Sequence, residues 1–156
     1  YLQRFDISNF IFAIGYKKEE FHKYFRNLFN NSQDIIFNSE FPNGKLIRNI
    51  YENSNLVVVP STWPEPLGWS TIDAGRHSKP IVATNVGGIP EAVINNKTGI
   101  LVEKLDHINM GKAILKILQN KILSKKFGNA ASNHIFKEFG YKRVSRQLKD
   151  LYSTFN

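Results

Sequence analysis

NLVVVPSTWPEPLGWSTIDAGRHSKPIVATN, residues 55–85, is the stretch of sequence that decides the fold. Its two apolar runs, VVVPS and IVATN, do not alternate with polar residues, which is typical of parallel strands covered on both faces. Between them, GWSTIDAGRHS predicts a helix that begins near Gly68 and ends before Pro80, because a residue that precedes proline avoids the α region. Thr62 to Gly68 then forms the loop, and the stretch predicts one β-α-β unit.

The alternation of strand and helix continues in both directions from this unit. NFIFAIG (9–15) and DIIFNS (34–39) predict two earlier strands, and TGILV (98–102) predicts a fifth strand after the short helix GIPEAVI (88–94). The apolar helical positions between the strands are Phe21, Tyr24, Phe25 and Leu28, and then Leu46, Ile47, Ile50 and Tyr51. Strands that alternate with helices form a doubly wound α/β sandwich, so we predict a Rossmann-like parallel sheet.

After Val102 the pattern is purely helical and predicts extra C-terminal helices packed on the flank of the sheet. The apolar positions are Ile114, Ile117 and Leu118 in the first helix, Phe127, Ala130, Ala131, His134 and Ile135 in the second, and Val144, Leu148, Leu151, Tyr152 and Phe155 in the third. We find no linker and no repeat longer than a βα unit. Residues 1–156 are therefore expected to form a single domain.

Composition narrows the class of protein. The chain has 156 residues, which suits one domain and is short for a two-domain enzyme, and it has no cysteine, which excludes disulfides and thiolate chemistry. It opens with Tyr1 and lacks a signal-peptide pattern or a membrane-spanning apolar run, so we expect a piece of a longer cytoplasmic protein.

The net charge of +8 lies almost entirely after Leu105, with ten Lys and Arg against three Asp and Glu. A solvated helix face explains this, and contact with an anionic membrane surface or an acidic partner is the alternative.

The loop before the central helix is the candidate ligand site. In open α/β sheets, ligands bind where loops lead from strand ends into helix N-termini. The first-turn amides of Gly68, Trp69, Ser70 and Thr71 should point outward without partners and should favour a phosphate group. Gly68 would let an anion approach the backbone, and Pro66 would restrict the loop.

Two carboxylates, Glu65 and Asp73, lie eight positions apart around this turn. Asp73 follows Trp69 by one helical turn on the same face, so it could accept hydrogen bonds from a ribose. Glu65 would face a sugar beyond the phosphates. The structural alternatives are that Glu65 caps the helix and that Asp73 is an exposed helix acid.

WPEPLGWSTIDAGRHSKPIVATNVGGIPEAV (63–93), flanked by YENSNLVVVPS and NNKTGILVE, resembles the nucleotide-sugar-binding half of family 4 retaining glycosyltransferases, the group 1 glycosyl transferases of GT-B fold. The resemblance runs from about Phe12 to the C-terminus, in the order and spacing of the family motifs. It implies a C-terminal domain whose first βα unit precedes this chain, and a separate N-terminal domain that binds a glycan or lipid acceptor.

The resemblance also implies roles for individual residues. Glu65 would be the catalytic residue and would contact the donor sugar, and Asp73 would bind the ribose of a UDP- or GDP-linked donor. Tyr51 would be structural. The diphosphate and sugar would be held by Glu65, Pro66, Leu67, Gly68, Trp69, Ser70 and Thr71, and the base pocket would be formed by Asn38, Ser39 and Phe41.

The chain departs from the family pattern at several positions. Asp73 stands where Glu is usual and is shorter by roughly 1.5 Å, Trp69 stands where a smaller aliphatic residue is common, and Asn55 stands where Asp is frequent. The basic pair that clamps the diphosphate in the family is not identified in this sequence. We predict no metal and no cofactor, because His22, His77, His107 and His134 are scattered.

Three other functions stay open. Glu65 and Asp73 could be the carboxylate pair of a glycoside hydrolase, which requires a separation of about 5 to 9.5 Å. The chain could be a non-catalytic nucleotide-sugar-binding module. Nucleic-acid recognition is disfavoured, because the aromatic residues fall at core spacing and the basic residues form no groove-reading motif.

Overall fold

The computed structural model of the protein describes residues 10–13, 35–38 and 44–155, with side chains from Arg48 onward. Five strands and six helices lie within these ranges. In chain order they are β1 (Phe10–Ala13), β2 (Ile35–Asn38), α1 (Gly44–Asn53), β3 (Val57–Val59), α2 (Trp69–Arg76), β4 (Ile81–Thr84), α3 (Ile89–Ala92), β5 (Gly99–Val102), α4 (His107–Leu118), α5 (Lys121–Glu138) and α6 (Tyr141–Ser153). The predicted helix with Phe21, Tyr24, Phe25 and Leu28 lies outside the described residues, as do the side chains of Leu46 and Ile47.

The strands pair in parallel, as the continuous apolar runs predict. β3, β4 and β5 form one sheet in that order, with Val57 opposite Ile81 and Ile81 opposite Gly99. β1 pairs with β2, and β1 lies beside β3, so the strands follow one another as β2-β1-β3-β4-β5. The chain order reverses between β1 and β3, which is where open α/β sheets form their ligand crevice.

Helices cover both faces of the β3-β4-β5 sheet, so the predicted doubly wound α/β architecture is confirmed. The side chains of Val58 and Val82 point to one face, where they pack with Met110, Ala113, Ile114 and Ile117 of α4. The alternate side chains face the other way and pack with α1, α2, α3 and α5; they are Val57, Val59, Ile81 and Ala83. Burial of apolar area on both faces stabilises the sheet by about 25 cal/mol per Å².

Side chains fix the start of the two long helices. The Asp106 carboxylate accepts a hydrogen bond from the Asn109 amide at 3.0 Å, and the Asn120 side chain accepts one from the Leu123 amide at 2.9 Å. Both bonds satisfy first-turn donors that the helix itself leaves unpaired. Local sequence therefore sets the boundaries of α4 and α5.

Close packing against α5 holds α2 in place. A methyl group on Gly75 of α2 would lie 2.5 Å from Cγ1 of Ile135, and one on Gly128 of α5 would lie 2.1 Å from the carbonyl oxygen of Ser78, just after α2. Side chains larger than hydrogen do not fit at either crossing point. The helix that carries the candidate site is thus fixed against a second helix as well as the sheet.

The third C-terminal helix differs from its prediction. The sequence pattern predicted that α6 packs on the sheet, but none of its residues is buried. Its apolar side chains are exposed along one stripe; they are Tyr141, Val144, Leu148, Leu151 and Tyr152, with Phe155 just beyond the helix. Periodicity establishes that a helix is amphipathic, but it does not establish what covers the apolar face.

Within the described ranges, no helix combines the length and the apolar character that a bilayer crossing needs.

Candidate functional site

The candidate site is built on the loop that leaves the carboxyl end of β3. Pro60, Pro64 and Pro66 restrict the backbone of this loop, since each fixes φ. The Thr84 hydroxyl at the end of β4 is buried and donates a hydrogen bond to the carbonyl oxygen of Ser61 at 2.7 Å. The start of the loop is therefore tied to the neighbouring strand.

Gly68 ends the loop in a conformation that favours glycine. Its φ of 65° and ψ of 63° lie in the left-handed region, where a side chain is strained. A methyl group there would also approach Cγ1 of Ile89 in α3 to 2.9 Å. The sequence predicts a glycine at position 68 for the approach of an anion, whereas the structure explains Gly68 by backbone conformation and packing against α3.

The first turn of α2 leaves backbone donors without partners. Among the described residues, none accepts a hydrogen bond from the amides of Gly68, Trp69 or Ser70, and no side chain caps the helix. Thr71 differs from the expectation, since its amide donates to the Gly68 carbonyl oxygen at 2.8 Å and its hydroxyl donates to the same atom at 2.6 Å. Three amides, rather than the four expected, can face a ligand.

The Glu65 carboxylate lies beside this helix start. Oε1 accepts a hydrogen bond from the Ser61 hydroxyl, and Oε2 lies 3.5 Å from the position that a Cβ atom on Gly68 would take. Glu65 is half-buried and does not cap α2, so the simple capping role is not the one observed. The Glu65 carboxylate, which suits hydroxyl donors, thus lies next to the free amides of the first turn of α2, which suit an anion.

Gly87 and Gly88 form a turn after β4 that supports the backbone of the Glu65 loop. The Gly88 amide donates a hydrogen bond to the Glu65 carbonyl oxygen at 2.7 Å. A methyl group on Gly87 would lie 2.2 Å from that same oxygen, and one on Gly88 would lie 2.1 Å from the carbonyl oxygen of Pro66. The sequence indicated a turn at these glycines, and the structure adds that they contact the predicted catalytic residue.

Asp73 has spatial neighbours that its position in the sequence did not predict. Nδ1 of His77 donates a hydrogen bond to the Asp73 carbonyl oxygen at 2.8 Å, and the His77 ring stacks on Tyr51 with ring centres 5.2 Å apart. Ser70 and Asp73 both lie near enough to the Tyr51 hydroxyl to act on its pKa. Asp73 itself is half-buried, so it is not simply an exposed helix acid.

Burial raises the pKa of Tyr51 from 10.0 to about 12; the negative charge of Asp73 adds to this effect, and the nearby Ser70 side chain opposes it. An acid whose folded pKa is raised contributes stability that is complete below the unfolded pKa and lost as pH rises through the folded pKa. We therefore expect the wild-type protein to lose about 2 kcal/mol more unfolding free energy between pH 10 and pH 12 than Tyr51→Phe does. Urea unfolding at the two pH values measures this difference, and equal losses in the two proteins would contradict it.

The other predicted site residues fall into two groups. Pro66 and Trp69 are exposed and Leu67 is half-buried, and Trp69 is 69% exposed directly at the first turn of α2. For the predicted base pocket, Asn38 is the last residue of β2 and only its backbone is described, while Ser39 and Phe41 lie outside the described residues. In the part of the chain that the structure covers, no three His, Asp or Glu side chains are grouped as a metal ion would require.

The sequence is similar to a known protein family and to its members. Residues 6–134 match the model of the family described as glycosyl transferases group 1. CapM of Staphylococcus aureus, a capsular polysaccharide biosynthesis glycosyltransferase, is 29% identical over an alignment of 131 residues that covers 80% of this chain and 34% of CapM.

The fold of this chain also superposes on solved structures. Sucrose-phosphate synthase from Thermosynechococcus elongatus superposes with a TM-score of 0.73 and 26% identity, over 85% of this chain and 33% of that one. Anabaena HepE in complex with UDP superposes with a TM-score of 0.76 and 19% identity, over 92% of this chain and 40% of HepE, which shows a shared fold. The chain thus spans about a third of the length of such relatives. Its family match covers most of its residues, and the chain belongs to the glycosyl transferases group 1 family.

Proposed function

We propose that this chain is the donor-binding domain of a retaining glycosyltransferase. The parent enzyme would move a hexosyl group from a nucleotide-diphosphate sugar to an acceptor held by an N-terminal domain outside this chain. Residues 1–156 would form the single C-terminal domain of its GT-B fold. The observation that carries the proposal is the helix start at Gly68, Trp69 and Ser70, which leaves three amides free beside the Glu65 carboxylate.

The three amides suit the electrostatics of glycosyl transfer. As the bond between sugar and diphosphate breaks, negative charge builds up on the leaving phosphate. Donors that already point at that position stabilise the charge without reorganising, and so they lower the barrier. The positive end of the α2 dipole acts in the same direction. We therefore assign the diphosphate to the first turn of α2, where Trp69 and Ser70 lie.

The two acids would bind the sugars on either side of the diphosphate. Glu65 is held by Ser61 beside the helix start, so its free oxygen can accept hydrogen bonds from the donor sugar. Asp73 lies three residues after Ser70 in α2 and would accept bonds from the ribose. The base would lie near the end of β2, at Asn38, Ser39 and Phe41. HepE, whose fold this chain shares, is in complex with UDP, which supports a uridine nucleotide as the first donor to test.

Calorimetric titration of this chain tests the proposal. The ligands are UDP, GDP and ADP, followed by their glucose, mannose and N-acetylglucosamine conjugates. We expect saturable binding of at least one nucleoside diphosphate, with one site per chain and a preference for one conjugated sugar. If a folded sample binds none of them, the assignment of the helix start to a diphosphate is wrong.

A non-catalytic nucleotide-sugar-binding module is the alternative, because such a module would use the same donor site. The isolated chain cannot separate the two, since the proposed acceptor domain lies outside it. The full-length parent decides: transfer of sugar to an acceptor supports the enzyme, whereas tight nucleotide binding without transfer supports the module.

The exposed stripe of α6 favours a second hypothesis, contact of the parent with an anionic membrane surface. The helix carries Lys142, Arg143, Arg146 and Lys149 against Asp150, and a basic amphipathic helix suits such an interface. Sedimentation with anionic and with neutral vesicles tests it. Binding to anionic vesicles alone supports the hypothesis, and no binding to either kind of vesicle contradicts it.

A further inference from the structure

Ser61 holds one oxygen of the Glu65 carboxylate. The Ser61 hydroxyl donates a hydrogen bond to Oε1, and the bond must run in this direction because a carboxylate only accepts. The other oxygen, Oε2, lies 3.5 Å from the position that a Cβ atom on Gly68 would take. One carboxylate oxygen is therefore fixed by the loop, and the other lies at the start of α2.

Ser61 is itself anchored to the end of β4. Thr84 is only 2% exposed, and its hydroxyl donates to the Ser61 carbonyl oxygen at 2.7 Å, with the Val59 carbonyl oxygen as a more distant acceptor at 3.3 Å. Pro60, directly before Ser61, has a fixed φ. The backbone of Ser61 is thus restrained on both counts, and this restraint limits where its hydroxyl can lie.

The backbone of Glu65 is held by the turn that follows the same strand. The Gly88 amide donates a hydrogen bond to the Glu65 carbonyl oxygen at 2.7 Å. Residues at and just after the end of β4 therefore restrain Glu65 twice, through its own carbonyl oxygen and through Ser61. Among the described residues, none donates a hydrogen bond to Oε2, so this oxygen is left for a ligand.

We propose that Ser61 is a positioning residue for recognition of the donor sugar: it holds Oε1 of Glu65, so that Oε2 is presented to a sugar hydroxyl. This inference rests on the proposed function, in which Glu65 contacts the donor sugar. The sequence predicted Ser61 only as the end of the strand VVVPS. The hydrogen bond to Glu65 gives Ser61 a part in the choice of sugar without direct contact to it.

The physical reason lies in the freedom of a glutamate side chain. Several rotatable bonds separate its carboxylate from the backbone, and ordering them when a ligand binds lowers the affinity. The hydrogen bond from Ser61 orders the Glu65 carboxylate before the ligand arrives. This gain applies only to the part of the ligand that contacts Oε2, so it favours a nucleotide sugar over the bare nucleotide.

Ser61→Ala tests the inference, because it removes the hydroxyl from a half-buried position and keeps the carbonyl oxygen that Thr84 binds. The probes are UDP, GDP and ADP and their glucose, mannose and N-acetylglucosamine conjugates. Calorimetry gives the sugar preference, which is the affinity for the conjugate that the wild type binds best divided by the affinity for its parent nucleotide. We expect this preference to fall about three- to tenfold in Ser61→Ala. The affinity for the bare nucleotide should stay within about twofold.

Matched variants show whether the hydroxyl itself is responsible. Ser61→Thr and Ser61→Val have side chains of the same shape and differ in the hydroxyl, so any steric effect is common to both. We expect the sugar preference of the threonine variant to exceed that of the valine variant by about threefold or more. Equal preferences would contradict the inference. Ser153→Ala removes an exposed hydroxyl that donates to the Asp150 carbonyl oxygen in α6, and it should change neither affinity.

A double-mutant cycle shows whether Ser61 acts through the carboxylate. In the Glu65→Ala background, Ser61→Ala should change the sugar preference by less than about twofold, since no carboxylate remains to be held. A larger loss in that background would mean that Ser61 acts on the sugar by another route, and it would overturn the inference.

The outcomes separate the inference from the proposed function. If the wild type binds none of the probes, the proposed function fails and the inference fails with it. If the wild type binds a nucleotide but prefers none of its conjugates, the sugar assignment of Glu65 is wrong, and the inference fails for that reason. If Glu65→Ala loses the sugar preference while Ser61→Ala keeps it in full, or if Ser61→Ala weakens nucleotide and conjugate equally, the inference alone is overturned.

Discussion

Glu65→Ala is expected to weaken the binding of the preferred nucleotide sugar by about 10- to 100-fold and that of the bare nucleoside diphosphate by no more than about twofold. The difference arises because the proposed partner of Glu65 is the sugar. Hydrogen bonds to a charged group contribute about 1.5 to 3 kcal/mol, which corresponds to this range of affinity. Calorimetric titration of both proteins with the nucleotide and with its conjugate measures the two effects separately.

Two other variants serve as controls for this prediction. Glu65→Gln keeps the shape of the side chain and should lose affinity for the conjugate alone, by less than alanine does. Glu91→Ala removes an exposed glutamate from α3 and should change neither affinity. Equal losses of nucleotide and conjugate in Glu65→Ala would contradict the division of roles between Glu65 and the helix start.

The sequence predicted the elements around the site because their signals are local. The apolar run Val57–Val59 indicates a strand, and Pro80 indicates that the preceding helix ends a few residues before it. Both elements are observed. Gly68 was also identified as the critical glycine. Its positive φ is a local property of the turn, whereas the sequence predicted the glycine from the approach of an anion.

The contacts that support the site could not be predicted in this way. Gly88 bonds to Glu65 across 23 positions of sequence, and His77 stacks on Tyr51 across 26. These contacts form only because the fold places β4 beside the Glu65 loop and α1 beside α2. A pattern of polar and apolar residues does not specify that placement. The Gly87-Gly88 dipeptide indicated a turn, but it did not indicate that the turn contacts Glu65.

The packing of α6 was predicted wrongly for a related reason. An apolar stripe at Val144, Leu148 and Leu151 shows which side of the helix avoids water. It does not show whether the covering surface belongs to the same domain, and among the described residues none buries it. The stripes of α4 and α5 look similar in the sequence, and both are buried, α4 against the sheet and α5 largely against α2.

Gly88→Ala is expected to disrupt the site through a backbone clash alone. Its φ of −84° suits alanine, so backbone strain at position 88 is not the cause. The added methyl group would lie 2.1 Å from the carbonyl oxygen of Pro66, which is a backbone atom and cannot rotate away. The loop must therefore shift, and overpacking of this kind costs about 1 to 3 kcal/mol of unfolding free energy. Urea unfolding measures that loss.

The same shift should reach the ligand, because the Gly88 amide holds the Glu65 carbonyl oxygen at 2.7 Å. We expect the folded Gly88→Ala protein to lose about tenfold or more in affinity for the nucleotide sugar, and less for the bare nucleotide, since a displacement of about 1 Å is enough to disrupt a positioned group. Gly111→Ala, inside α4, is the matched control; it should gain about 0.5 to 1 kcal/mol of stability and bind both ligands as the wild type does. A Gly88→Ala protein with wild-type stability and wild-type sugar affinity would show that the turn does not position Glu65.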